Sequence, residues 1–203
     1  MPSETAGGLQ RIILDTARQL LTDVGYAQLS MRKIAQKIGY SATSIYLYYS
    51  NKDELVHALI DEGVELLYAD LHEANRSHAD PSSRLRAMCL AYIQFGLIHP
   101  EYYEIMYVLH PEYIKRYPAE KYRKARRNLE LLASAVEDGI QMEHFEACEA
   151  TVGANLIWTQ LHGVVTLLNS ERVDKRIPAE TLIHSACKHI LRSFLKTPQH
   201  KEV

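Results

Sequence analysis

The stretch GYSATSIYLYYSNKDEL, residues 39–55, gathers Tyr40, Tyr46, Tyr48 and Tyr49 within ten positions. Ser41, Thr43 and Ser44 add hydroxyls, and Lys52 is the first cation after Lys37. Hydroxyls and an ammonium group donate hydrogen bonds, so this set can seat an oxyanion. It does not break bonds by itself. The chain carries no Gly-rich phosphate loop, no nucleophile elbow and no paired carboxylates in a defined setting. No enzyme is expected, and no catalytic residue or cofactor is assigned. The ten histidines show no tight metal-ligand spacing, and His184 with Lys188 and His189 is not a ligand set. Cys89, Cys148 and Cys187 lie far apart, without a CxxC pair. That argues against a disulfide framework or a zinc site and for buried structural thiols in a reducing compartment.

The elements that hold these residues are helical throughout, and an all-α fold of about nine helices is expected. Leu9, Ile12, Ile13, Ala17, Leu20, Leu21 and Val24 repeat at three and four, which predicts an amphipathic helix stopped by Gly25. Ser30 caps a short helix with Met31, Ile34, Ala35 and Ile38 inward and Arg32, Lys33 and Lys37 outward; Gly39 ends it. Ser41 caps a third helix of about two turns, anchored by Ile45. Asn51 with Glu54 fits a capping box for a fourth helix, running to about residue 76. Further helices are expected near 82–98, 101–109, from 119 to 138 with Gly139 as the stop, 146–168 and 179–195.

Charge is uneven. Residues 1–52 carry +3 and the remainder −5, so a polyanion would meet the front of the chain. Residues 150–170 contain no Asp, Glu, Lys or Arg. Although long enough to cross a bilayer, they include Asn155, Thr159, Gln160, His162 and Asn169, and the reading is a helix buried in protein. No basic start followed by an apolar run marks a secretory signal. A cytoplasmic location without a membrane span is expected.

Helix, glycine turn, short capped helix is a helix-turn-helix arrangement, whose second helix enters a major groove. Lys52, at the start of the fourth helix, adds a cation where free N–H groups already favour an anion. The run RIILDTARQLLTDVGYAQLSMRKIAQKIGYSATSIYLYYSNKDEL, residues 11–55, resembles the tetracycline-repressor (TetR) family of transcriptional regulators. Ala17, Gly25-Tyr26, Ser30, Ile34-Ala35, Gly39-Tyr40-Ser41, Ile45-Tyr46 and Lys52 to Leu55 carry the likeness in register. By the resemblance, Ser30, Arg32, Ser44, Tyr46, Tyr48 and Lys52 fall where the family touches DNA. With their neighbours Lys33, Ser41, Ala42 and Thr43 they form the candidate DNA-binding set. Tyr40 and Tyr49 are assigned to packing. The reading helix, 42–48, offers no Arg, Lys, Asn or Gln, so bidentate base reading is missing from its centre. Thr43, Ser44 and Tyr48 can make single hydrogen bonds, Ala42 or Thr43 can meet a thymine methyl, and Arg32 is the guanine candidate. Phosphate contacts and DNA shape are expected to supply much of the affinity.

YIQFGLIHPEYYEIMYVL, residues 92–109, followed by WTQLHG, residues 158–163, resembles the C-terminal domain of a TetR subgroup named for Trp, His and Gly, here Trp158, His162 and Gly163. The resemblance implies a DNA-binding domain at 9–55 and a ligand-binding and dimerisation domain at 56–197. It also implies a homodimer through the last two long helices and a double-stranded DNA operator that is nearly palindromic. Tyr92, Phe95, Tyr103, Met106, Tyr107, Trp158 and His162 are the candidate ligand residues, suited to a mostly hydrophobic small molecule. Taken singly, an aromatic at this helical spacing is more often core, and His162 reads as a structural histidine rather than a metal ligand. The basic stretch 113–130 is either a solvated face or an attractor for an anionic group such as the phosphates of an acyl-coenzyme A. Two classes of function remain: a ligand-released repressor on DNA, and a helical protein-interaction regulator without a small-molecule inducer.

Overall fold

The computed structural model describes residues 3–108 and 119–196. Its described residues form nine α-helices and no β-strand: α1 (Ser3–Gln28), α2 (Met31–Ile38), α3 (Ala42–Tyr46), α4 (Lys52–Arg76), α5 (Pro81–Ile98), α6 (Pro100–Tyr107), α7 (Ala119–Gln141), α8 (Ala150–Asn169) and α9 (Ala179–Arg192). The chain divides into two compact units. One comprises Met1–Val64 with Glu101–Tyr122; the other comprises Glu65–Pro100 with Arg123–Val203. Helix α4 therefore contributes to both.

In the first unit, Ile13, Ala17 and Leu21 of α1 are buried at i, i+4, i+8 with Ile34, Ile45, Leu55 and Leu59. Ile12 and Val24, expected on that face, are exposed; they belong to the flanks of a stripe narrower than the apolar spacing suggested. Gly25 breaks the helix at φ 75, ψ 167, a conformation essentially confined to glycine, and one more turn follows to Gln28. The α2–α3 turn is built locally. The Lys33 N–H donates to Ser30 Oγ at 3.2 Å. Gly39 is left-handed (φ 75, ψ 26), which lets the Tyr40 N–H reach the Ala35 carbonyl at 3.0 Å while its own N–H bonds Gln36. That pair of bonds is a Schellman closure. Ser41 Oγ accepts from the Ser44 N–H at 3.1 Å and opens α3, which is only five residues long.

The start of α4 differs from the expected reciprocal box in one detail. Asn51 Oδ1 accepts from the Glu54 N–H at 2.9 Å as expected, but Glu54 reaches back to the N–H and Oγ of Ser50, not to Asn51. Residues 101–107 of α6 pack in this unit. The Cβ that Gly63 lacks would lie 2.5 Å from Met106 Sδ, so α6 meets α4 closely at this glycine. Arg18 joins Glu101 at 2.9 Å and lies over the Tyr102 ring, while Arg11 binds Asp15 and Glu62.

The second unit packs α5, α8 and α9 against one another around Leu85, Met88, Cys89, Ile157, Leu161, Cys187 and Ile190. Asp80 caps α5, accepting from the Ser83 N–H at 2.7 Å, with Pro81 at the first helical position. Glu149 caps α8 by accepting from the Thr151 and Val152 N–H groups, so α8 starts later than residue 146. Gly139 does not stop α7, which continues to Gln141. Its missing side chain makes room for the buried Phe145 ring, and its carbonyl accepts the His144 and Phe145 N–H groups. Cys89 and Cys187 are buried, but Cys148 is exposed, against expectation, because it lies in the segment before the α8 cap. Helix α8 is buried along Gly153, Ala154, Ile157, Leu161 and Val165 only. Its other side is not covered within the described residues. No helix among the described residues is long and apolar enough to cross a membrane.

Candidate nucleic-acid interface and ligand residues

The turn chemistry above decides which side chains α2 and α3 can present. Ile45 and Tyr49 point into the core of the first unit, where the Tyr49 hydroxyl accepts from Gln10 Nε2 at 3.3 Å. The opposite side therefore carries Thr43, Tyr46 and Leu47. Tyr46 is 51% exposed. Arg32, Lys33, Ser41 and Thr43 are exposed; Ser30, Ala42, Ser44, Tyr48 and Lys52 are half-buried. All ten predicted residues thus stand at or near the surface, along α2, α3 and the start of α4.

Three of the hydroxyls are partly committed. Ser30 Oγ accepts as a cap, and Ser41 and Ser44 share a hydrogen bond at 2.9 Å. Ser30 keeps its O–H for an outside oxygen, and of Ser41 and Ser44 the one that accepts their shared bond keeps its own. Lys52 is the most organised member. Its Nζ donates to the Tyr26 carbonyl at 3.0 Å and stands 3.9 Å from the centre of the Tyr26 ring. The Tyr26 hydroxyl hydrogen-bonds Asp53, and burial followed by that carboxylate pushes its pKa above the ordinary tyrosine range. An ammonium at the positive end of a helix is unfavourable by roughly 0.3–1 kcal/mol unless an anion joins it. The Tyr26 carbonyl and ring hold it there, and two of its three N–H donors stay available.

Sequence reasoning missed two residues of this surface. Leu47 is 81% exposed, and Tyr40, assigned to packing, is 49% exposed. The shortness of α3 explains both. Five helical residues leave one inward anchor, so the residues on either side turn outward. The spacing of Leu47 from Ile45, two positions and so across the helix, carried that signal.

The seven ligand candidates fall into different units. Tyr103, Met106 and Tyr107 belong to the first, where the Tyr103 and Tyr107 rings meet at 5.0 Å. Tyr92, Phe95, Trp158 and His162 belong to the second. There the indole Nε1–H of Trp158 donates to the Tyr92 hydroxyl at 3.0 Å, and the Trp158 and His162 rings lie 5.6 Å apart. Tyr92 and Phe95 are buried. Burial pushes the His162 pKa below the ordinary histidine value. Of the basic stretch, residues 113–118 lie outside the described residues, and Lys124 and Arg127 are paired with Glu65 at 3.6 and 2.7 Å. A separate cavity of about 330 Å³ is lined by Arg86, His184, Ser185, Lys188 and Leu191, none of them a predicted ligand residue. Among the described residues no cluster of three or more metal-ligating side chains occurs.

Known proteins match this organisation. The profile of bacterial regulatory proteins of the tetR family matches residues 13–59, and that of tetracyclin repressor-like C-terminal domains matches residues 85–189. The HTH-type transcriptional activator FasR of Mycolicibacterium smegmatis is 32% identical over 83 residues, 41% of this chain and 38% of that protein. The fatty acid metabolism regulator protein of Bacillus subtilis is 29% identical over 73 residues, 36% of this chain and 38% of that protein. The matches span about two-fifths of the length of these relatives. In fold, a tetR-family regulatory protein from Rhodococcus RHA1 superposes with a TM-score of 0.77 at 18% identity, covering 93% of this chain and 97% of that one. The TetR-family regulator PfmR of Thermus thermophilus does so with a TM-score of 0.71 at 22% identity, covering 89% and 97%. The chain belongs to the tetR family of bacterial regulatory proteins, transcriptional regulators that bind DNA through a helix-turn-helix.

Proposed function

We propose that this chain is a repressor that binds a near-palindromic operator as a homodimer and is released by a small, mostly hydrophobic ligand. The observation that carries the DNA reading is the outward side of α3, with Tyr46 and Thr43 exposed and Ile45 buried beneath them. It is flanked by Arg32 and Lys33 on one side and the pre-oriented Lys52 on the other. Hydroxyls and single cations without a bidentate reader favour phosphate contacts over base contacts. About four phosphates per subunit correspond to a log–log salt slope of about −7 for a dimer.

The dimer reading rests on α8. Val152 and Leu156 are each 56% exposed, Leu167 is exposed, and nothing lies within 4 Å of the Cβ that Gly163 lacks. These four positions form one stripe at i, i+4, i+11 and i+15. An apolar stripe with a gap for close approach suits the same stripe of a second copy across a two-fold axis.

The ligand reading rests on Tyr92, Phe95, Trp158 and His162 of the second unit. The B. subtilis relative's name favours an acyl chain, with an acyl-coenzyme A as one form. The ligand releases DNA only if it binds the non-DNA conformer more tightly, by about 5.5 kcal/mol for a shift from 1:99 to 99:1. Helix α4 is the lever, because it runs unbroken from Lys52 into residues of the second unit.

A gel shift with the promoter of its own gene tests the DNA reading. Binding to a near-palindrome that weakens with salt, and that Tyr46→Phe with Lys52→Ala abolishes, supports it. Absence of duplex binding at low salt would favour a protein-interaction regulator. Native mass spectrometry of the purified protein tests the ligand reading by the mass of any retained molecule.

A further inference from the structure

The cavity of about 330 Å³ in the second unit belongs to none of the sites described above. Three of its walls come from α9, where His184, Lys188 and Leu191 stand at i, i+4 and i+7 and so share one face. Ser185 joins them, and Arg86 comes from α5, which packs against α9. Two permanent cations, one imidazole and one hydroxyl therefore converge on a single concavity. None of them has a hydrogen-bond or ion-pair partner among the described residues, although Arg86 acts, after Cys89, to lower the pKa of the Cys187 thiol. Elsewhere in this unit Arg84, Arg127 and Arg176 each hold a carboxylate. Ser170 and Ser193 donate their hydroxyls to carbonyls of their own helices. Ser185 makes no such bond. All four polar side chains are exposed, so water satisfies their donors; an entering anion replaces that water and relieves the repulsion between the two like charges.

We propose that this cavity binds a small phosphomonoester. The dianion of a phosphomonoester, about −1.5 to −2 at neutral pH, matches the charges of Arg86 and Lys188. The guanidinium fork suits two phosphate oxygens, and the ammonium and the Ser185 hydroxyl suit the remaining ones. Leu191 gives the organic group an apolar wall. The volume lies at the small end of ligand pockets, about 300–1,000 Å³, and favours a compact organic phosphate over a dinucleotide. The site shares no residue with the candidate ligand set or with the α8 stripe, although four of its five lining residues lie on α9, the second helix of the expected dimer interface.

The test uses the full chain, titrated by calorimetry with phenyl phosphate and, separately, with inorganic phosphate. Saturable binding of one phenyl phosphate per chain is expected, weakened at least about tenfold by Arg86→Gln or Lys188→Gln, the usual loss for a hydrogen bond to a charged group. Lys175→Gln, an exposed control outside the cavity, is expected to leave it unchanged. Weaker binding of inorganic phosphate assigns the site to an organic phosphate. Equal binding, lost in the same variants, keeps the oxyanion site and assigns it to free phosphate. No saturation with either probe at millimolar concentration, or affinities unaltered in the Arg86→Gln/Lys188→Gln double variant, overturns the proposal. Both side chains are exposed, and unchanged far-ultraviolet circular dichroism verifies that the variants fold.

Discussion

Replacing Gly139 by alanine sets two effects of opposite sign against each other. In a helix interior alanine is better than glycine by about 1 kcal/mol, and Gly139 lies inside α7. The new Cβ would stand 2.1, 2.3 and 2.9 Å from Cδ2, Cε2 and Cγ of Phe145. The ring would have to withdraw by more than an ångström. It has nowhere to go. Phe145 is fully buried against Phe194, with ring centres 6.1 Å apart. Its backbone is pinned as well, by the Phe145 N–H to the Gly139 carbonyl at 3.0 Å and the Glu146 N–H to the Phe194 carbonyl at 2.8 Å. If the ring stays, overpacking costs up to about 3 kcal/mol; if it is expelled, the loss is about 3–5 kcal/mol. Set against the helix gain, the net destabilisation is up to about 2 kcal/mol if the ring stays and about 2–4 kcal/mol if it is expelled. For a chain of this size the second case lowers Tm by about 5–15 °C. Thermal melting followed by circular dichroism measures it. Phe145→Leu in the Gly139→Ala background should recover part of the loss, because the two positions touch and their effects are not additive. A Gly139→Ala protein that melts at or above the parent temperature would refute the packing account and return Gly139 to the status of a mere helix breaker.

Three further outcomes are expected. Lys52→Met keeps the apolar stem on the Tyr26 ring but removes the charge, so operator affinity should fall and the salt slope should shrink by about 1 per subunit; an unchanged slope in a gel-shift salt series would exclude Lys52 from phosphate contact. Gly163→Leu places bulk into open space within the chain, so helicity should be retained while light scattering reports a shift toward monomer at micromolar concentration; an undisturbed dimer places the second copy elsewhere. Because burial lowers the pKa of His162 in the folded state, the unfolded chain takes up that proton first. The contribution to stability is therefore full above about pH 6.5 and declines as pH falls below it. His162→Gln should flatten that decline in denaturation curves, and a folded-state titration midpoint at or above the ordinary histidine value would contradict it.

The amino-acid order alone specified whatever depends on neighbours within one helical turn. Ser30, Gly39, Ser41 and Asn51 act as caps or turn residues where their types placed them, because each bonds to a backbone group no more than five positions away. The inward set Ala17, Ile34, Ala35 and Ile45 follows from helical period in the same way. Tertiary structure decided the remainder. Gly139 looked like a stop because nothing local announces that Phe145 occupies the space of its missing side chain. Ile12 and Val24 looked inward because apolar spacing does not tell the middle of a stripe from its flank. Lys52 found its carbonyl at Tyr26, and Arg86 shares a cavity with residues about a hundred positions later in the chain. Caps and periods are short-range energies written into adjacent residues. Burial, cavities and long-range ion placement are set by which helices come to lie together, and that is a property of the packed chain.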